Sequence, residues 1–91
     1  MNRYALRKDK NQGDIVDALR KVGATVRVMH DPLDLIVGFR GRNFLLECKQ
    51  EKKKGWASEL TPAQIKFCNE WQGQHAIVYT AEEAIAVITG D

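Results

Sequence analysis

The chain has 91 residues, of which 44% are apolar and 29% charged, and a formal net charge of +2. That length suits one domain and leaves no room for two. So short a chain buries only about 60–65% of its unfolded surface, so its core is small and pairing with a second copy would help it. No apolar run approaches the roughly 20 residues a membrane-crossing helix needs, and no membrane partner is expected. Residues 1–10 are polar and basic with no apolar stretch behind them, which argues against a secretory signal and for a cytoplasmic protein. Cys48 and Cys68 lie in apolar or periodic segments without a Cys-x-x-Cys pair, and read as reduced packing residues. His30 and His75 show no zinc-ligand spacing. Residues 1–54 carry 13 of the 14 Lys and Arg and a net +6, whereas residues 55–91 carry a net −4. Such a division suggests one face made for an anion.

In chain order, residues 1–10 read as a basic arm bearing Arg3, Arg7, Lys8 and Lys10, ahead of a single domain over 11–91. Asn11 to Val22 predict a helix. Ile15, Leu19 and Val22 fall at helical spacing with Val16 beside them, Asn11 is placed to cap the helix, and Gly23 stops it. Val26 and Val28 alternate in a short strand from Ala24 to Met29. After the His30-Asp31-Pro32 loop, Asp34–Phe39 and Asn43–Lys49 form two strands around Arg40, Gly41 and Arg42, a hairpin signal. Glu51 to Gly55 are a charged loop. Thr61-Pro62-Ala63-Gln64 opens a second helix as a capping box with Pro in the first turn. Ile65, Cys68 and Trp71 mark its expected inner stripe, and Gly73 ends it. His75–Tyr79 form a strand, and Thr80 with Glu83 opens a last helix. The order α-β-β-β-α-β-α implies an α/β fold, a mixed sheet with helices packed on it.

The hairpin carries the chemistry. With a loop of Arg40 and Gly41, Asp34 lies opposite Glu47; with Gly41 and Arg42, Asp34 faces Lys49 and Glu47 is its diagonal neighbour. Both registers put Asp34, Glu47 and Lys49 on one face, since strand side chains alternate with period 2; a three-residue loop, which the sequence leaves open, would break this arrangement. The other face, Leu35, Val37, Phe39, Phe44, Leu46 and Cys48, is apolar and belongs to the core. Two carboxylates held together repel, and a hard divalent cation such as Mg²⁺ relieves that repulsion through oxygen ligands. Such an ion holds a phosphate oxygen, lowers the pKa of a bound water and stabilises transition-state charge. A lysine alongside suits phosphodiester hydrolysis. The bland alternative is a turn aspartate and a surface Glu–Lys pair, which this spacing alone does not exclude.

Three segments, Pro32-Leu33-Asp34, Leu45-Leu46-Glu47-Cys48-Lys49 and Leu60-Thr61-Pro62-Ala63-Gln64, together resemble the PD-(D/E)XK nuclease superfamily. The short stand-alone VRR-NUC type of phages and bacteria is the nearest in pattern. Gly13-Asp14-Ile15-Val16, Trp71-Gln72-Gly73 and Glu82-Glu83-Ala84 fit as well, so the resemblance runs from about Asp9 to about Ile88. It implies a restriction-endonuclease-like core and a Mg²⁺-dependent endodeoxyribonuclease, with Mn²⁺ able to substitute and no other small-molecule cofactor. By that resemblance Asp34, Glu47 and the main-chain carbonyl of Cys48 hold the metal and Lys49 acts on the attacking water. Gln64 joins from the second helix and Asp14 from the first. It also implies a homodimer, action on branched DNA such as four-way junctions or flaps, and work in the bacterial host cytoplasm if a phage encodes the chain. One departure stands out: Leu33 precedes the aspartate where the family has proline, with Pro32 one place earlier, and Asp31 is a competing ligand in the loop before it.

Other residues weigh less. Gln64 has a capping role of its own, and Asp14 suits a helix N-terminus regardless of any site. Arg3, Arg7, Lys8, Lys10, Arg40, Arg42, Lys52, Lys53 and Lys54 are the expected phosphate contacts. Trp56 and Trp71 read first as packing residues. A rival from another class is a DNA-binding module on the same fold that has lost cleavage, and a second is a purely structural protein. Lys49→Ala is expected to keep the fold and remove most cleavage.

Overall fold

The computed structural model describes the backbone of residues 3–50 and 60–90, with side chains from Lys10 onward. It is a mixed α/β fold of three helices and a four-stranded sheet. The elements run α1 (Arg3–Lys21), β1 (Thr25–Val28), β2 (Leu35–Phe39), β3 (Arg42–Cys48), α2 (Pro62–Glu70), β4 (His75–Val78) and α3 (Ala81–Thr89). The strands lie in the order β1-β2-β3-β4. The first three are mutually antiparallel and β4 runs parallel to β3, with α2 as the crossover that a parallel pair requires.

The expected order of elements is the one found, with two differences in the helices. First, α1 begins at Arg3, so the backbone of residues 3–10 is helix rather than an arm, and Asn11 lies inside the helix instead of capping it. Its last turn ends at Lys21, leaving Val22 41% exposed beyond it. Second, α2 has no buried residue. Ile65 and Trp71, expected on an inner stripe, are each about half exposed (47% and 49%), and the helix meets the sheet instead through Gln64 on Glu47 and Phe67 on His75.

The core lies on one face of the sheet. Leu35, Val37, Phe39, Phe44, Leu46 and Cys48 are buried there as the alternation requires, together with Val26 and Val78. Ile15, Val16 and Leu19 of α1 and Ala84 and Ile88 of α3 close over them. Helix α3 is held by a complete Thr80–Glu83 capping box and ends on Gly90 in the left-handed conformation. Gly90 accepts that conformation because it has no Cβ.

The hairpin register is the first of the two anticipated. Leu35 pairs with Leu46 and Phe39 with Arg42, so Arg40 and Gly41 form the loop. Both have positive φ, 50° and 79°, the geometry of a type I′ turn that matches strand twist. A left-handed arginine is strained by about 1–2 kcal/mol, and asparagine tolerates the position far better. Arg40→Asn is therefore expected to stabilise the protein by about 0.5–1 kcal/mol and raise its melting temperature by roughly 3–6 °C. Thermal unfolding followed by circular dichroism measures this; a lower melting point would show that the turn is not of this type.

Candidate active site

The register fixes the geometry. With Leu35 opposite Leu46, the next positions outward, Asp34 and Glu47, face each other. Their inward neighbours point into the core, so the pleat turns both away from it. Asp34 lies just beyond the last paired residue of β2, where its carboxylate Oδ2 accepts the Cys48 N–H at 2.9 Å. The side chain thus stands in for a ladder carbonyl and continues the β2–β3 pairing by one step. Leu33, which precedes Asp34, is fully buried, and the Met29 N–H donates to the Asp34 carbonyl across the loop at 2.6 Å. Buried packing and this hydrogen bond therefore set the approach of Asp34.

Glu47 is 1% exposed and Asp34 8%, and they are the buried charged residues among those described. Glu47 Oε2 accepts from Gln64 Nε2 at 2.8 Å and lies 3.4 Å from the Lys49 ammonium. Glu47 Oε1 is buried without a hydrogen-bond partner among the described residues. Gln64 serves twice. Its Oε1 accepts from the Thr61 N–H at 3.0 Å, completing the capping box, while its amide nitrogen grips Glu47. One side chain thus starts α2 and ties it to the sheet, so both roles weighed for it hold together.

Cys68 lies one turn beyond Gln64. Burial raises its thiol pKa above the ordinary value, and the negative charge of Glu47 raises it further. A groove of about 490 Å³ adjoins these residues, with His30, Asp31 and Pro32 on one wall and Thr61, Gln64 and Phe67 on the other. Asp31, expected as a competing ligand, is exposed along this groove. Phe67 stacks on Trp71 with centroids 5.2 Å apart.

The fit to a divalent cation rests on the donor set. Two facing carboxylates and one ammonium leave a net negative charge in a buried place, and one carboxylate oxygen has no donor among the described residues. No group of three or more His, Cys, Asp or Glu side chains suited to a metal occurs among the described residues. A cation here would therefore complete its shell with main-chain oxygen, such as the Cys48 carbonyl, and water, as Mg²⁺ commonly does.

Of the remaining expected residues, the two arginines at the hairpin turn lie apart. Asp14 is exposed on α1 and pairs with Lys10 at 3.6 Å. Arg40 and Arg42 lie at the opposite end of the hairpin, against the rings of Phe39 and Phe44. At a strand's rise per residue that is roughly 20 Å from Asp34. The side chains of Arg3, Arg7 and Lys8, and all of Lys52, Lys53, Lys54 and Trp56, lie outside the described residues. Sequence reasoning missed Asn11, whose Nδ2 donates to the Lys49 carbonyl at 2.9 Å. The available signal was an asparagine inside a longer helix than the apolar stripe suggested.

A scan against protein-family models, a search of characterised proteins and a search of solved structures each found no match to this chain.

The Glu47–Lys49 pair changes what Lys49→Ala should do. Removing one partner of a buried pair leaves the other charge uncompensated. Lys49→Ala is expected to cost about 3 kcal/mol of stability. Lys49→Gln, which keeps a donor for Glu47, should cost roughly a third of that. Urea unfolding of the two variants measures the difference, and equal midpoints would mean that the pair carries no weight. Cys68 provides a second check, because only its thiolate is alkylated. At pH 8 it should react with iodoacetamide more slowly than a free thiol, and faster in Glu47→Gln than in the parent chain. With the raised pKa, the thiolate gain comes only as the pH climbs past the ordinary thiol range. An unchanged rate in Glu47→Gln would remove Glu47 as a cause.

Proposed function

We propose that this chain is a Mg²⁺-dependent endodeoxyribonuclease of the PD-(D/E)XK type, with Mn²⁺ as a substitute ion. The observation that carries this reading is the buried Glu47, whose one oxygen is held by Gln64 and Lys49 while the other has no donor among the described residues, facing Asp34 across the hairpin. Burying a carboxylate is costly unless it is paired or coordinated, and a fold that keeps one half-satisfied points to a cation site. The order of Asp34, Glu47-Cys48-Lys49 and Gln64 along the chain supports the same assignment.

In this reading Asp34 and Glu47 hold the ion, with the Cys48 carbonyl completing the protein's share. The bound ion supplies Lewis-acid stabilisation of phosphate charge and a more acidic water. Gln64 fixes the orientation of Glu47, and Lys49 places a positive charge where the attacking water and the phosphate meet. The phosphate backbone is the main determinant of binding, through the basic residues of the first half of the chain. The substrate is DNA, with branched or flapped forms preferred, and the working unit is a homodimer in the cytoplasm. Among the described residues no helix is long and apolar enough to cross a membrane.

A panel of supercoiled, flap and four-way DNA, incubated with Mg²⁺ or with chelator, tests the proposal. Cleavage should require the ion, and Asp34→Asn or Glu47→Gln should lower it by about 10²-fold or more. Independently of cleavage, Mg²⁺ at about 100 times its dissociation constant should add about 2.7 kcal/mol of stability to the parent chain and none to Glu47→Gln. A well-folded protein that leaves every DNA uncut in Mg²⁺ and Mn²⁺, and melts at the same temperature with or without them, would overturn the reading. DNA binding without cleavage would identify a binding module on the same fold instead.

A further inference from the structure

We infer that Asn11 is a positioning residue for Lys49, holding the main chain from which the lysine side chain reaches the site. Its consequence for cleavage rests on the nuclease reading above, whereas its structural half stands on the hydrogen bonds alone.

Lys49 lies one residue beyond Cys48, the last paired residue of β3. Its N–H still donates to the Val78 carbonyl of β4 at 2.9 Å. Its carbonyl has passed the end of the ladder, and there Asn11 Nδ2 donates to it at 2.9 Å from α1. The Lys49 peptide is thus held from two sides, by a strand and by a helix, with 38 residues of sequence separating it from Asn11.

Asparagine is a poor choice for a helix interior, because its short amide competes for nearby backbone groups and belongs more naturally to caps and turns. Asn11 follows two full turns of α1, and its amide reaches a different element. Local helix formation gives no reason for it. The chemistry of the contact does: a carbonyl needs a donor, and aspartate, the nearest shape, would offer only an acceptor. A leucine of similar size would offer nothing.

Lysine has a long side chain with many rotamers, so the place of its ammonium depends first on where its backbone is rooted. Here that root is fixed and the ammonium stands 3.4 Å from Glu47 Oε2, with the side chain 13% exposed. Misplacing a reacting group by about 1 Å can cost about 10²-fold in rate. Asn11 therefore acts through Lys49 without touching substrate.

Asn11→Leu removes the donor without adding charge and suits a helix, and Asn11→Gln keeps an amide on a longer arm. Asn11→Leu should lower kcat by about 10- to 100-fold with KM for DNA little changed, and Asn11→Gln should recover part of the loss. In a Lys49→Gln background, Asn11→Leu should have no further effect on residual cleavage, since the two act as a unit. Amide hydrogen exchange gives a readout without activity: the Lys49 N–H should exchange about tenfold faster in Asn11→Leu, with the Leu46 and Val37 amides unchanged. Wild-type exchange at Lys49 in that variant, or the same proportional loss of cleavage with and without Lys49, would overturn the inference. If the parent chain cuts no DNA, the nuclease reading fails, and the exchange rates still decide whether Asn11 holds Lys49.

Discussion

The buried carboxylate of Glu47 is the constraint around which the surrounding structure is arranged. At 1% exposure it has lost nearly all contact with water, and a carboxylate so placed must recover its hydration from protein donors. Gln64 donates to Oε2, the Lys49 ammonium pairs with it at 3.4 Å, and Oε1 is left with no donor among the described residues. This governs more than the site. Helix α2 buries no side chain fully, so the polar reach of Gln64 into that carboxylate joins the edge-on packing of Phe67 against His75 in tying it to the sheet. The thiol of Cys68, a turn further along, carries the same charge in its raised pKa. A purely structural protein gains more from a well-packed apolar residue at such a position than from an ion pair. Keeping Glu47 there is a loss of stability that a function at the site would explain.

What puts Glu47 at that position is set at the other end of the hairpin. Arg40 and Gly41 turn the chain with both residues at positive φ, and the turn sets which residues of β2 and β3 face each other. A slip of one residue would move Glu47 to the core face and Leu46 or Cys48 out of it. The apolar set Leu35, Val37, Phe39, Phe44, Leu46 and Cys48, buried under α1 and α3, prevents that slip. The strain held at Arg40 and the burial of Glu47 are thus two ends of one register, and the hydrophobic core between them keeps both in place.

Much of this was legible in the sequence because strand alternation and turn chemistry act over two to four residues. The apolar face of the hairpin, the Thr61 and Thr80 capping boxes and the convergence of Asp34, Glu47 and Lys49 all follow from such short-range rules. The register is legible only as a choice between two tight loops, with a three-residue loop also open, since an arginine in the left-handed region is not what composition favours. The errors share a cause. The start of α1 was hidden because its first turns carry no apolar stripe. The inner face of α2 is hard to read because Ile65 and Trp71 have the right spacing for an apolar contact, while Gln64 and Phe67 make the contacts that form. Asn11 reads as a cap in sequence because caps are where asparagine usually serves. Its true partner, the Lys49 carbonyl, lies too far along the chain for any local pattern to indicate.

Sequences that specify a fold tend to satisfy local preference, burial and polar pairing together, and departures gather where function demands them. Three departures occur here: an asparagine inside a helix, a carboxylate in near-complete burial, and a helix that packs without burying an apolar residue. Each could be dismissed singly as tolerated imperfection. Their contacts make that difficult, since Asn11 holds the Lys49 carbonyl, the Lys49 ammonium meets Glu47, and Glu47 is gripped by Gln64 of the weakly packed helix. The three costs therefore fall on one connected chain of hydrogen bonds and charge, extending from α1 through the end of β3 to α2. A random scatter of imperfections has no reason to be contiguous. Preorganising a lysine and a carboxylate against their own preference for water does give such a reason, because groups already fixed and dehydrated need no rearrangement when charge develops beside them.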